Sequence, residues 1–147
     1  MNQKDQNSFR TVNIVWTVFV LAAILYSGIS YFMFGAPSFD YLSSGSPFPI
    51  VLSFLSVVML VLSFVVPKLM VKSMTMKDQH GISPGVLKFV VSKIVQFALI
   101  EAAVLYGFII TFTEQKNLTL PFTIIGFLFF LKVKPSLEEV KSLSRQA

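Results

Sequence analysis

The sequence contains no cysteine and a single histidine, His80, among its 147 residues. Without cysteine the chain cannot form a disulfide, a thiolate zinc site, an iron–sulfur cluster or a c-type haem attachment. With one histidine it cannot supply a two-histidine haem or metal site by itself. The chain therefore lacks the residues that most protein redox centres require. We therefore expect no cofactor, no metal site and no catalytic activity of the chain's own.

Charged residues are also scarce. They make up 13% of the chain, against about 25% in ordinary soluble domains, whereas 54% of the residues are hydrophobic. The apolar residues fall in long runs that a water-soluble core of this size does not need. The sequence therefore predicts an all-α polytopic membrane protein that forms a single membrane domain over residues 1–147.

Four hydrophobic stretches predict a four-transmembrane-helix bundle, with spans at about residues 12–34, 48–69, 87–113 and 118–133. The first stretch is too long for a cleaved signal peptide and ends in large residues, so we interpret it as a retained span. The fourth has an apolar part of only about fourteen residues, roughly 21 Å of helix. It can span with help from capping and from lysines that reach the surface; a re-entrant or tilted interfacial segment is the alternative.

The basic residues predict the orientation of these spans. Eleven of the twelve lysines and arginines fall on one side of the proposed bundle, and Lys116 is the exception. Basic residues near span ends are retained in the cytoplasm, so both termini are predicted to be cytoplasmic. We expect a location in the cytoplasmic membrane of a bacterium. Because the basic residues are spread along the membrane boundary, nucleic-acid binding is not expected.

Lysines at the ends of the spans are predicted to contact the headgroups of the lipid bilayer. The residues concerned are Lys68, Lys72, Lys88, Lys132 and Lys134. Lys93, in the first turns of the third stretch, is expected to reach the lipid phosphates in the same way.

The segment after the fourth span predicts a short amphipathic helix over residues 136–145. Ser136 and Glu139 match the S-x-x-E capping pattern, and apolar residues recur at positions 137, 140 and 143. We expect this helix to lie on the inner leaflet, with docking onto a soluble partner as the alternative. In the connecting loops, Asp40 and His80 are expected to be solvated residues without a chemical role.

Glu101 is a carboxylate near the middle of the third predicted span. On translocon scales an ionised aspartate at a helix centre costs about 2.5 to 3.5 kcal/mol. No cation of this chain obviously reaches it, because Lys93, eight residues earlier, lies roughly 12 Å away along the helix axis. We therefore expect Glu101 to be uncharged, or paired with a cation from another chain, and treat it as a candidate ion-binding residue.

Small and polar residues surround this carboxylate in the proposed bundle. Two small-residue pairs are predicted to let helices approach closely: Ala98 with Ala102, and Ala23 with Ser27. The candidate hydrogen-bond partners of an uncharged Glu101 are Ser53, Ser56, Gln96 and Tyr106. The alternative is that the small residues only pack helices and the serines bond to their own backbone.

Residues 98–112 read Ala-Leu-Ile-Glu-Ala-Ala-Val-Leu-Tyr-Gly-Phe-Ile-Ile-Thr-Phe. This segment resembles the carboxylate helix of the rotary ATP synthase proteolipid, the c subunit, which typically reads A-L-x-E-A-x-x-x-Y-G-h-h-h-x-F with h hydrophobic. By this resemblance Glu101 would carry an ion and Tyr106 would be a hydrogen-bonding neighbour. Because Ala102 has no hydroxyl group, the resemblance favours a proton over sodium. The likeness covers one helix, and the first two spans lack the glycine repeat that packs the inner ring in that family.

Two functions follow from these patterns. In the first, the chain is a small integral membrane subunit of a multi-chain assembly that handles protons through Glu101. In the alternative, it is a structural, accessory or scaffold subunit in which Glu101 is a neutral hydrogen-bonding anchor. Both predict contacts with other membrane subunits or self-association. An enzyme acting on lipid is disfavoured, because the sequence offers no clustered carboxylates, metal ligands or nucleophile–base pair.

Overall fold

The structure, a computed structural model, describes residues 3–38, 46–75 and 81–145, without the side chains of residues 144 and 145. The described residues form five helices: α1 (Gln3–Phe34), α2 (Phe48–Ser73), α3 (Pro84–Glu114), α4 (Thr119–Lys132) and α5 (Leu137–Arg145). The predictions for Asp40 and His80 concern residues outside these ranges. The predicted all-α class is confirmed for the part of the chain that is described.

The central helix is α3, which packs against each of the other four helices. Helices α1 and α4 also pack against each other, whereas α2 packs mainly against α3. The large apolar side chains that are fully buried on α3 are Val86, Phe89, Phe97, Ile100, Val104 and Ile110. They lie on the faces of α3 that meet its neighbours, which explains why this helix is the most deeply buried of the three long ones.

The start of α1 and helix α5 lie at one end of the bundle, here called the terminal end. Near the start of α1, the Asp5 carboxylate accepts hydrogen bonds from the backbone N–H of Ser83 at 3.0 Å and from its hydroxyl at 3.2 Å. Helix α5 returns to α3 at the same end. At the opposite end, here called the loop end, Asn117 donates to the Gly35 carbonyl and accepts from the Ser38 N–H, both at 2.8 Å.

Three of the described helices, α1, α2 and α3, are long and apolar enough to cross a membrane. Helix α4 has 14 residues and is too short to do so as a straight span. It reaches the required length only together with α5, from which it is bent by 61°. Three of the four predicted spans therefore correspond to helices of spanning length, and the fourth remains a prediction.

The bounds of the three long helices follow from the residues at their ends and from the prolines within them. Helix α1 begins nine residues before the predicted span, because the polar segment that precedes Val12 continues the helix. Helix α2 runs through Pro67 to Ser73, although proline removes one backbone hydrogen bond. Helix α3 begins with Pro84 in its first turn and ends at Glu114. The next residue, Gln115, has a φ of 52°, the left-handed conformation typical of the position after a helix.

Candidate functional site around Glu101

The carboxyl group of Glu101 is buried in the interior of the bundle. The residue is 6% exposed, and neither carboxylate oxygen has a hydrogen-bond partner among the described residues. None of the described lysines or arginines forms an ion pair with it. In an apolar interior an ionised carboxylate needs a partner. The described chain supplies no cation, so the group is either neutral or completed from outside the chain.

Tyr26 on α1 is the polar side chain that faces Glu101. The Tyr26 hydroxyl faces the carboxyl group closely enough to interact with it electrostatically. Both residues lie on an aromatic α1–α3 contact, in which Phe19 packs on Phe97 at 6.2 Å and Tyr26 packs on Phe108 at 5.1 Å between ring centroids. Glu101 lies four residues after Phe97 and seven before Phe108, so all three share the face of α3 that meets α1.

Sequence reasoning did not single out Tyr26. A signal for it was present, because Tyr26 lies three residues after Ala23 and four before Ser30, which places the three on one helix face. Ala23 and Ser30 are both fully buried. A tyrosine on a buried face of a membrane helix usually has a polar group near its hydroxyl, and the carboxyl group of Glu101 is the polar group that faces Tyr26.

The neighbouring faces of α3 meet α4 and α2 through small residues. A side chain added at Gly126 of α4 would meet Val104, and one added at Gly107 of α3 would meet Phe122 of α4. These contacts place the middle of α4 at the level of residues 100–107 of α3. On the α2 side, the Ser56 hydroxyl donates to the Ala103 carbonyl at 3.0 Å. The stretch of α3 that includes Glu101 is therefore closely packed against α4 and α2.

The four predicted partners of Glu101 have other environments. Ser56 is bound to the α3 backbone, and Ser53 lines a small cavity of about 200 Å³ between α2 and α4. Gln96 is buried and accepts a hydrogen bond from Lys93 at 3.3 Å. Tyr106 is half-buried and lies about 140° around α3 from Glu101. None of these four residues forms a hydrogen bond with the carboxyl group, which Tyr26 of α1 faces instead.

The predicted packing residues divide into two groups. On α1, Ala23 is fully buried, and the Ser27 hydroxyl donates to the Thr123 hydroxyl of α4 at 2.7 Å. On α3, Ala98 is exposed and Ala102 is half-buried. Within the single chain the α1 pair faces α4, whereas the α3 pair borders a surface that the described helices leave open.

A chain of buried hydroxyl groups joins α1, α3 and α4 near the loop end. The Thr111 hydroxyl donates to the Gly107 carbonyl at 3.1 Å and accepts from the Leu118 N–H at 3.0 Å. Because Thr111 has used its one hydrogen, Thr119 must donate to Thr111, and Ser30 to Thr119, both at 2.7 Å. Sequence reasoning missed this network because it joins residues that are distant along the chain.

Lys93 is the buried cation of the bundle's terminal end. Its side chain is 5% exposed, and its ammonium group forms a 2.8 Å ion pair with Glu139 of α5. It also donates to the Val133 carbonyl at 3.1 Å, just beyond the last turn of α4. Close by, the Trp16 indole donates to the Phe130 carbonyl at 2.9 Å. Two side chains thus satisfy carbonyls at the end of α4, which has no further turn to bond them.

This arrangement corrects one prediction and refines another. Lys93 does not extend to the lipid phosphates, because Glu139 and two uncharged oxygen atoms bind its ammonium group inside the bundle. The predicted tail helix is present as α5, but its apolar side packs against the bundle, where Val140 is fully buried. Residues 93 and 139 could not be paired from the sequence, because helix α4 and its connections separate them along the chain.

The five lysines predicted to contact lipid headgroups all belong to helices or connections at the terminal end. Lys68, Lys72, Lys132 and Lys134 are exposed, and Lys88 is half-buried. The ammonium groups of Lys132 and Lys134 lie 5.2 Å from the Phe64 ring and 5.5 Å from the Trp16 ring, respectively. Such positions keep the charge at the surface while the side-chain stem covers aromatic groups.

Within the described ranges, no group of three or more histidine, cysteine, aspartate or glutamate residues is placed to hold a metal ion. Comparisons of the chain with protein-family models, with curated proteins and with solved structures give no match. The candidate site is therefore defined by its own geometry: a buried carboxyl group, a facing tyrosine and an open small-residue surface beside them.

Proposed function

We propose that this chain is a small integral membrane subunit of a multi-chain assembly, in which Glu101 takes up and releases a proton. The observation that carries the proposal is the burial of a carboxyl group with no hydrogen-bond partner and no cation in the described chain. Packing alone does not require a carboxyl group there, since leucine or methionine would fill the space without any desolvation cost. A group that is costly and incompletely satisfied is a candidate for function.

The open surface beside Glu101 supports the multi-chain part of the proposal. Ala98 lies three residues before Glu101 and is exposed, and Ile94 and Ile109 on the same side of α3 are 42% and 43% exposed. Small residues at such a surface allow the backbone of another helix to approach closely. A helix from a second subunit placed there would pack beside Glu101 and could supply the missing charge or hydrogen bond.

The proposed topology has four spans, with both termini in the cytoplasm of a bacterium. Its support is the distribution of the basic residues along the chain. Lys116, between α3 and α4, is the one basic residue of the loop end. The other eleven lie in the first turns of α1, between position 68 near the end of α2 and position 93 near the start of α3, or from the last residue of α4 onward. Helix α4 runs beside α3 from Thr111, at the loop end, to Lys93, at the terminal end. It therefore follows α3 across most of the proposed bilayer despite its short length.

The test is Glu101→Gln in the organism's own membrane, with Glu114→Gln as the control at the loop end of the same helix. The glutamine keeps the size and the hydrogen-bonding capacity of the site but cannot exchange a proton. We expect loss of proton flux in inverted membrane vesicles for Glu101→Gln, with the assembly intact on native gels, and unchanged flux for the control. Unchanged flux and growth in the Glu101 variant would contradict the proposal.

A neutral anchor between α1 and α3 is the second candidate, and the observation that favours it is the facing Tyr26 hydroxyl. An anchor needs only hydrogen bonding, so Glu101→Gln would be mild and Glu101→Leu would weaken assembly. A proton carrier needs an ionisable group, so both substitutions would abolish flux. The comparison of glutamine with leucine therefore separates the two functions.

A further inference from the structure

A cleft of about 580 Å³ opens at the terminal end between α2, α3 and α5. Three lysines line it: Lys68 and Lys72 from α2, and Lys88 from α3. Lys68 and Lys72 are four residues apart and so project from the same face of α2. The cleft therefore receives positive charge from two different helices.

The described residues do not neutralise the charge of the cleft. None of the three lysines forms an ion pair with a described residue. The carboxylate of Glu139 also lines the cleft, but Lys93 binds it at 2.8 Å from the buried side. The three ammonium groups thus have no ion-pair partner within residues 3–38, 46–75 and 81–145, and they fit a ligand that carries negative charge.

The rest of the lining favours a phosphate attached to an apolar group. Gln96 accepts from Lys93 through its Oε1 atom, and its amide nitrogen remains a hydrogen-bond donor. Phe64, Pro67 and Leu143 supply apolar surface beside the charged groups. Basic clefts between membrane helices at a bilayer surface are the usual sites of anionic lipid headgroups.

We infer that this cleft binds a phosphate group, and that its source is an anionic glycerophospholipid of the membrane leaflet at the terminal end. The three lysines contact the phosphate, and the apolar side of the cleft contacts the glycerol and the first carbons of the acyl chains. The inference is independent of Glu101, which faces α1 in the interior of the bundle.

The experiment uses the full chain purified in an uncharged detergent, with its thermal unfolding followed as phosphatidylglycerol is added. Phosphatidylcholine serves as the lipid control, and inorganic phosphate and glycerol 3-phosphate as the soluble sources. We expect phosphatidylglycerol to raise the unfolding midpoint in a saturable way, because a ligand that binds only the folded state stabilises it. Equal shifts with phosphatidylcholine would overturn the inference.

Two triple variants separate the cleft from general electrostatics. K68Q/K72Q/K88Q removes the charge of the cleft, whereas R10Q/K134Q/K141Q removes the same charge from the surface outside it. We expect the cleft variant to bind phosphatidylglycerol roughly 100-fold more weakly and the control variant to bind it nearly as the wild type does. Equal weakening in both variants, or none in either, would overturn the inference.

A third variant keeps every charge and fills the space. Ser142 lines the cleft from α5 and is exposed, so Ser142→Trp can be accommodated by the fold. We expect it to lower phosphatidylglycerol affinity, and unchanged affinity would contradict a bound phosphate in the cleft. If the soluble phosphates produce the same cleft-dependent shift as the lipid, the phosphate site stands and the assignment to a lipid source is overturned.

Discussion

Gly107→Ala is expected to destabilise the bundle by about 1–3 kcal/mol, the usual cost of overpacking a close contact. An added Cβ at this position would meet the Phe122 side chain of α4, including its own Cβ atom at 2.6 Å. That atom is fixed to the α4 backbone and cannot rotate away, so the two helices must separate. Close helix approach through glycine is a main source of stability in membrane bundles, where apolar burial gives little driving force.

Alanine substitutions at two further glycines serve as comparisons for Gly107→Ala, because the space around each glycine differs. At Gly126 the added atom would meet a terminal methyl group of Val104, which can change rotamer, so we expect Gly126→Ala to cost less than Gly107→Ala. At Gly28 nothing lies within 4 Å. Gly28→Ala should be neutral or stabilising by up to about 1 kcal/mol, because alanine favours helix.

The measurement is the thermal unfolding of the three variants in detergent, followed by the fluorescence of Trp16. This side chain reports on the α1–α4 contact because its indole binds the Phe130 carbonyl. The expected order of stability is Gly28→Ala, then Gly126→Ala, then Gly107→Ala. Equal midpoints for the first and last of these variants would show that α3 and α4 do not approach as closely as described.

Glu139→Gln is expected to destabilise the docked α5 helix by about 1–3 kcal/mol, since it leaves a buried cation with uncharged partners only. The Lys93 side chain is 5% exposed, so water would hydrate its ammonium group poorly once the carboxylate is lost. Lys93→Met should cost less, because Glu139 is 39% exposed and can be hydrated. The double variant should cost less than the sum of the single changes, as expected for residues in direct contact.

Hydrogen exchange of the α5 backbone amides tests this prediction directly, with Glu138→Gln as the control. Glu138 is exposed and forms no ion pair in the described chain. We expect faster exchange across α5 in Glu139→Gln and wild-type exchange in the control. Equal exchange in the Glu138 and Glu139 variants would show that the ion pair does not hold α5 against α3.

The positions of the long helices follow from the sequence because hydrophobic runs of this length have few alternatives in a membrane. The limits of α1 do not, since its polar first turns extend beyond the apolar run and are stabilised by tertiary contact, as between Asp5 and Ser83. Residue spacing gives the face of a helix but not the neighbour that it meets. For that reason Glu101 could be identified as unusual, while its neighbour Tyr26 could not.

The partner of Lys93 and the surface that Ala98 and Ala102 border could not be predicted for the same reason: both depend on which helices become neighbours. Lysine near a span end usually extends to the headgroups, and only the return of α5 to the bundle provides the competing carboxylate of Glu139. Ala98 and Ala102 form a small-residue pair whatever they face. Which side of α3 remains open depends on how four helices are arranged around it, and a single sequence does not specify that arrangement.

Labelling of Glu101 by a hydrophobic carbodiimide in native membranes is the most direct test of its proposed role. The reagent reacts with a protonated carboxyl group, and peptide mass spectrometry identifies the site. A water-soluble carbodiimide is the control, which should reach the exposed Glu138 and not Glu101. We predict that the hydrophobic reagent labels Glu101, and that the rate falls in one step as the pH is raised and the carboxyl group ionises. Absence of labelling at every pH, or a rate that does not change with pH, would contradict a carboxyl group that exchanges protons.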